Sequence, residues 1–191
     1  MAVMVVSRRA PRGRPLTPGE WNALSPGLAL ALAGAGAQPR LIARAHPAAR
    51  VAAIWRGGVP ILTRGEAIWW PGALADVSTP GRERAMAVLQ HELQHVLDYV
   101  AGRLTAVRYL RAPRHWTYSW RPGDPRGWDA LGFEQRGALA ERLWLAERGV
   151  AGAEDLPALR SAIPWALEPA PANRRLDWSK QEGVTLVGDA G

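Results

Sequence analysis

His91, Glu92 and His95 stand in the order H-E-x-x-H within the stretch His91-Glu92-Leu93-Gln94-His95, and these residue types at this spacing can hold and use a metal ion. Around them the apolar residues Leu89, Leu93, Val96, Leu97 and Val100 recur in steps of three and four, the spacing of one face of an α-helix. Two histidines four apart on such a helix project from one side, one turn above the other, so a rigid backbone can offer both imidazoles to one ion. Glu92, beside the first ligand, is then placed to take a proton from water on the metal, as in a zinc hydrolase. The alternative is a pair of polar-face or hydrogen-bonded core histidines. Of the four histidines in the chain, however, these two share an apolar helix, where an unpaired ionisable group is costly to bury.

A catalytic zinc takes three protein ligands and keeps one position open. The chain has no cysteine, so any zinc is held by nitrogen and oxygen. In the longer H-E-x-x-H-x-x-G-x-x-H pattern the glycine position is Asp98 and the third-histidine position is Ala101, which excludes that subclass. The third ligand is expected downstream, and Glu134 is the best candidate, 39 residues after His95 at the start of a second apolar-patterned helix. Glu141, two turns further along the same face, is the runner-up ligand or a residue supporting one. Asp98 is either a partner holding a ligand imidazole by hydrogen bond or a solvated charge. A hydrolase also needs a donor for the oxyanion that forms as water attacks a carbonyl. Tyr118 and His115, in the aromatic stretch between the two helices, are the candidates, and a structural hairpin with buried aromatics is the alternative use of that stretch. His46, before Pro47, reads as a solvated loop histidine.

These side chains need elements to position them. In Arg14–Glu20, RPLTPGE, Thr17 can cap a helix, Pro18 suits its first position and Glu20 completes a capping box. Leu28–Ala37 reads as the apolar end of a helical segment running into a Gly-rich turn, with a cryptic export signal as the lesser option. Leu41–Arg44, Val51–Trp55, Ile61–Thr63 and Ala67–Trp70 suggest a small meander of strands against the metal helix. That helix is predicted to start after Ser78-Thr79-Pro80, capped by either hydroxyl, and to end at Gly102. A last helix is predicted over Ala153–Ala162, with Trp165 and Trp178 tacking the following tail onto the domain. The expected organisation is a flexible basic arm over residues 1–13, one α+β domain over 14–163 and a Pro/Ala-rich charged tail over 164–191.

The formal charge of +7 comes from arginine, since Lys180 is the only lysine. Beyond Arg8, Arg9, Arg12 and Arg14 the arginines are scattered, with no basic helix interleaved with aromatics, so nucleic acid is not the expected partner. No stretch is long and apolar enough to span a bilayer. The expected location is the cytoplasm, with export by a route that needs no signal peptide as the alternative.

RPLTPGE, HELQHVLDY and GFEQRGALAE, in this order between Arg14 and Gly149, resemble the bacterial Vgr-related proteins, which are similar to the core metallopeptidase-like domain found with extracellular contractile injection systems. The resemblance implies a minimal gluzincin-type zincin fold: a small sheet on the H-E-x-x-H helix, and a second helix with the third ligand. His91 and His95 would be its histidine ligands to Zn2+, Glu92 its catalytic glutamate and Glu134 its third ligand; Arg136-Gly137 departs from the family's pattern. The expected function is hydrolysis of peptide bonds in a peptide or protein substrate. The alternative is a catalytically silent, zinc-stabilised structural or interaction module associated with components of a secretion or injection apparatus.

Overall fold

A computed structural model describes residues 13–49, 60–71, 75–111, 113–150 and 156–166, and two short strands beyond them, β5 (Arg174–Leu176) and β6 (Leu186–Gly188), which pair antiparallel. The architecture is mixed α+β. Its centre is an antiparallel pair of helices, the histidine helix (Glu83–Val100) and the glutamate helix (Phe133–Glu147). Their opposed sense follows from their contacts: Glu141 faces His91 near one end, and Arg136 meets Asp98 near the other.

On one side lies a four-stranded sheet in the order β1 (Arg14–Pro15), β2 (Arg40–Ile42), β4 (Ala67–Trp69), β3 (Leu62–Arg64). It is not the expected meander. β2 runs parallel to β4, and β3 folds back antiparallel on β4's other side to form the edge facing the histidine helix. The two-residue turn that allows this has Gly65 at φ 62°, a conformation other residues rarely adopt. The strand expected at Val51–Trp55 lies outside the described residues.

The Thr17 capping box is present: Thr17 Oγ1 accepts from the Glu20 amide at 3.0 Å, and Glu20 Oε2 accepts from the Thr17 amide at 2.8 Å, opening the helix Pro18–Asn22. The Glu20 carboxylate, fully buried, also takes both Arg14 guanidinium nitrogens at 2.7 Å and the Val77 amide at 3.1 Å. It thereby ties β1 to the loop ahead of the histidine helix. Leu28 and Leu32 of the next helix, Pro26–Gly34, are fully buried, and it ends as expected in a glycine turn, with Gly36 at φ 64° and the Ala37 amide donating to Leu32 O.

The histidine helix starts later than expected, and neither Ser78 nor Thr79 caps it. Gly81 (φ 83°) turns the chain first, and both hydroxyls instead donate to Asp76, Ser78 at 2.6 Å and Thr79 at 3.1 Å. Its end is as expected, at Gly102 (φ 69°), where the Arg103 amide donates to Asp98 O.

Leu89 and Leu93 of this helix are fully buried in a core shared with Leu28, Leu32, Leu41 and Ile68. A second core joins Leu139 and Leu143 of the glutamate helix to Leu159 and Ile163. Leu159 belongs to the last helix, Leu156–Ala162, whose expected first residues lie outside the described part. Packing continues past the expected boundary at 163: Ala166 is buried, and Trp165 Nε1 donates to Gln94 Oε1 at 2.9 Å, the tacking role expected of it. Residues 1–12 and Trp178 lie outside the described residues. Among the described residues, no helix is long and apolar enough to cross a membrane.

Candidate metal centre

The histidine helix presents His91 and His95 on one face, each 7% exposed, with their rings 4.8 Å apart between centroids. The first turn of the glutamate helix brings Glu134 to them. Its Oε2 lies 3.1 Å from His91 Nε2 and 3.7 Å from His95 Nε2. One donor atom from each of the three residues lies within 4.8 Å of the other two, so the group could hold a metal ion. Atoms bound about 2.0–2.1 Å from a tetrahedral zinc stand roughly 3.3 Å apart, close to both carboxylate–imidazole separations. Two neutral imidazoles and a carboxylate are also a donor set that zinc accepts without thiolate.

The helices come this close because Gly137 faces the His91 ring: a Cβ there would lie 2.6 Å from His91 Nε2. Gly132 serves the helix start in a similar way, since a Cβ on it would lie 2.2 Å from Arg114 O. Gln135 reaches back to accept from the Gly132 amide at 2.9 Å and donates to Ser119 O, fixing the angle at which Glu134 enters.

Electrostatics follow from this crowding. Burial by itself would lower the His91 pKa, but the contacts with Glu134 and Glu141 and the charge of Glu92 outweigh it and push it up to about 10. Burial acts on Glu134 in the opposite direction, raising its pKa, yet the two imidazoles hold it far below the usual carboxylate range. Without metal, a proton on His91 neutralises the Glu134 carboxylate.

Glu92 points to the same space. Thr63 Oγ1, in the middle of β3, donates to Glu92 Oε2 at 2.7 Å. A cavity of about 720 Å³ opens over the four residues, with Ile61, Leu62, Val88, Leu104 and Leu110 among its apolar lining. Tyr118, the expected oxyanion donor, lines the cavity, its ring tilted 32° to that of His91 with centroids 5.9 Å apart.

His115 does not line the cavity. The chain between the helices is a short helix (Ala106–Arg111) followed by a 3₁₀ turn (Pro113–Trp116), in place of a hairpin. That turn directs His115 inward, where it is buried and stacked on Phe133 at 4.2 Å. Burial, then the charges of Arg114 and Arg136, lower its pKa and keep it neutral. The expectation that it donates to an oxyanion is therefore corrected.

Asp98 has neither expected role: it is fully buried and bound by arginines, Arg136 Nη1 at 3.0 Å and Arg103 Nε at 2.7 Å. Glu141 stands outside the ligand set, 3.6 Å from His91 Nδ1, where it supports that imidazole. His46, expected in solvent, packs edge-on against Trp69 at 4.9 Å and lines the cavity.

Three residues were given no role in the site by the sequence: Thr63 on Glu92, Gly137 under His91, and Tyr109, whose hydroxyl donates to Glu134 Oε1 at 2.7 Å. Only Gly137 carries a local signal, since a glycine inside a helical pattern costs stability unless close packing requires it. Compared with family models, with curated proteins and with solved structures, the chain matches none.

Proposed function

We propose that the chain is a zinc-dependent metallopeptidase of zincin-like fold, with His91, His95 and Glu134 as the metal ligands and Glu92 as the general base. The observation that carries this reading is the convergence of two imidazole nitrogens and one carboxylate oxygen at a cavity that Glu92 also lines. Zinc held there supplies Lewis acidity toward a peptide carbonyl and toward water.

The chain's own residues do the rest. Thr63 occupies Glu92 Oε2 and leaves the other carboxylate oxygen to accept a proton from water as its oxygen adds to the carbonyl carbon. Glu92 then returns that proton to the amine nitrogen as the carbon–nitrogen bond breaks. Tyr118, at the cavity wall, donates to the developing oxyanion in this reading. The apolar walls exclude water from the rest of the substrate.

The test is zinc content and cleavage of a mixture of unstructured peptides, followed by mass spectrometry, for the parent and for Glu92→Gln. The expected result is near-stoichiometric zinc in both proteins, with cleavage reduced by about 10²-fold or more in the variant. Undiminished turnover in Glu92→Gln would rule out the base assignment. A zinc-loaded parent that cleaves nothing would transfer support to the zinc-stabilised module.

A further inference from the structure

The two oxygens of Glu134 have different neighbours. Oε2 faces both imidazoles, whereas Oε1 accepts a hydrogen bond from Tyr109 Oη at 2.7 Å. We infer that Tyr109 is a positioning residue that holds Glu134 as a one-oxygen ligand and thereby keeps a coordination position open for chemistry. The inference rests on the metal site proposed above.

A carboxylate free to turn can offer both oxygens to one metal ion. A three-ligand catalytic site keeps a vacant place for water or substrate, and a carboxylate that gives a single oxygen leaves that place clear. A phenol bound to Oε1 fixes the carboxylate plane and occupies the second oxygen with a donor that a metal would have to displace.

Tyr109's position is not a by-product of core packing. None of the six residues of its helix, Ala106–Arg111, is buried, and Val107 and Leu110 are more than half exposed. The helix is seated by polar contacts: Thr105 Oγ1 accepts from the Arg108 amide, Arg108 Nη1 donates to Gly102 O and Arg103 O, and Trp116 Nε1 donates to Tyr109 O. Together they aim one phenol at one carboxylate oxygen.

The test compares the full-length parent with Tyr109→Phe, which keeps the ring, and with Val107→Ala, an exposed position on the same helix that neither lines the cavity nor seats Tyr109. Zinc affinity is measured by chelator competition, and coordination number by the visible absorption of the cobalt(II)-substituted protein. Tyr109→Phe is expected to weaken zinc binding about 10- to 100-fold, the usual cost of losing a partner behind a ligand. It is also expected to shift the cobalt bands toward the weaker absorption of higher coordination, while Val107→Ala keeps the parent's affinity and spectrum. Parent-like affinity or an unchanged spectrum in Tyr109→Phe would overturn the inference and leave the metal site standing, as would an equal change in Val107→Ala. Failure of the parent itself to bind zinc would overturn the metal reading, and this inference with it.

Discussion

The interface between the histidine and glutamate helices contains two buried ionic clusters that are completed in opposite ways. At one end, Asp98 Oδ1 is held by two guanidiniums while Oδ2 has no hydrogen-bond partner among the described residues, and Arg136 also donates to Trp128 O and Asp129 O, both at 3.2 Å, over the rings of Trp128 and Phe133. At the other end, His91, His95, Glu134, Glu92 and Glu141 come together around contacts between imidazole and carboxylate, and a cavity opens above. Arginine is always charged and has no lone pair to offer a metal, so a carboxylate closed by arginine becomes structure. Histidine can give up its proton and present a nitrogen lone pair, so a carboxylate facing histidines remains available for coordination. The Asp98 end joins the helices without metal, which frees the His91 end from having to do so.

The largest expected effect breaks the closed cluster. Asp98→Ala leaves Arg136 buried without its carboxylate, and chemical denaturation should show a loss of about 3–5 kcal/mol. The fraction that stays folded should still bind zinc; a loss of zinc with stability intact would mean that the two ends are not separable.

A smaller effect should appear at the open cluster alone in Gly137→Ala. The added methyl would lie within 2.6–2.8 Å of three His91 ring atoms and must displace the ring, so zinc affinity should fall by roughly tenfold or more, as for other disturbances behind a ligand. The zinc-free protein should also lose about 1–3 kcal/mol to overpacking against the buried His91 ring, offset in part by the about 1 kcal/mol by which alanine is favoured over glycine in a helix. Chelator competition and thermal unfolding of the same preparation would separate the two quantities.

The third expectation sharpens the contrast through pH. The His91 pKa is raised to about 10 in the metal-free fold, so its contribution to folding is fully present below about 6.5, the ordinary histidine value, and is lost as pH rises through about 10. Zinc must displace that proton, so affinity should move the other way and rise about tenfold per pH unit across this window. A zinc affinity that levels off near pH 6.5 would show that His91 is not held protonated by its carboxylates.

Much of the centre was legible because its information is local. The step from His91 to His95 is one helical turn, and the glycine at 102 stops the helix where its left-handed conformation is needed. The Thr17–Glu20 box is likewise written within four residues, although the same Glu20 also closes on Val77, 57 positions away, which no local pattern announces. His115 was misread because aromatic and histidine content shows what a segment could donate, while the 3₁₀ turn decides which way it points. Asp98 was misread because its partner Arg136 stands 38 residues later.

By itself, then, the sequence determined which residues could ligate, the helix that presents His91 and His95 together, and Glu134 as the best third donor, since each depends on residue chemistry and helical periodicity. The tertiary structure alone decided that β3 brings Thr63 to Glu92, that Tyr109 reaches Glu134, that Gly137 lets the second helix approach His91, and that Asp98 is spent on arginine. Those pairings depend on how separate elements pack, and packing is set by the whole core, so no stretch of sequence contains both partners and the geometry between them.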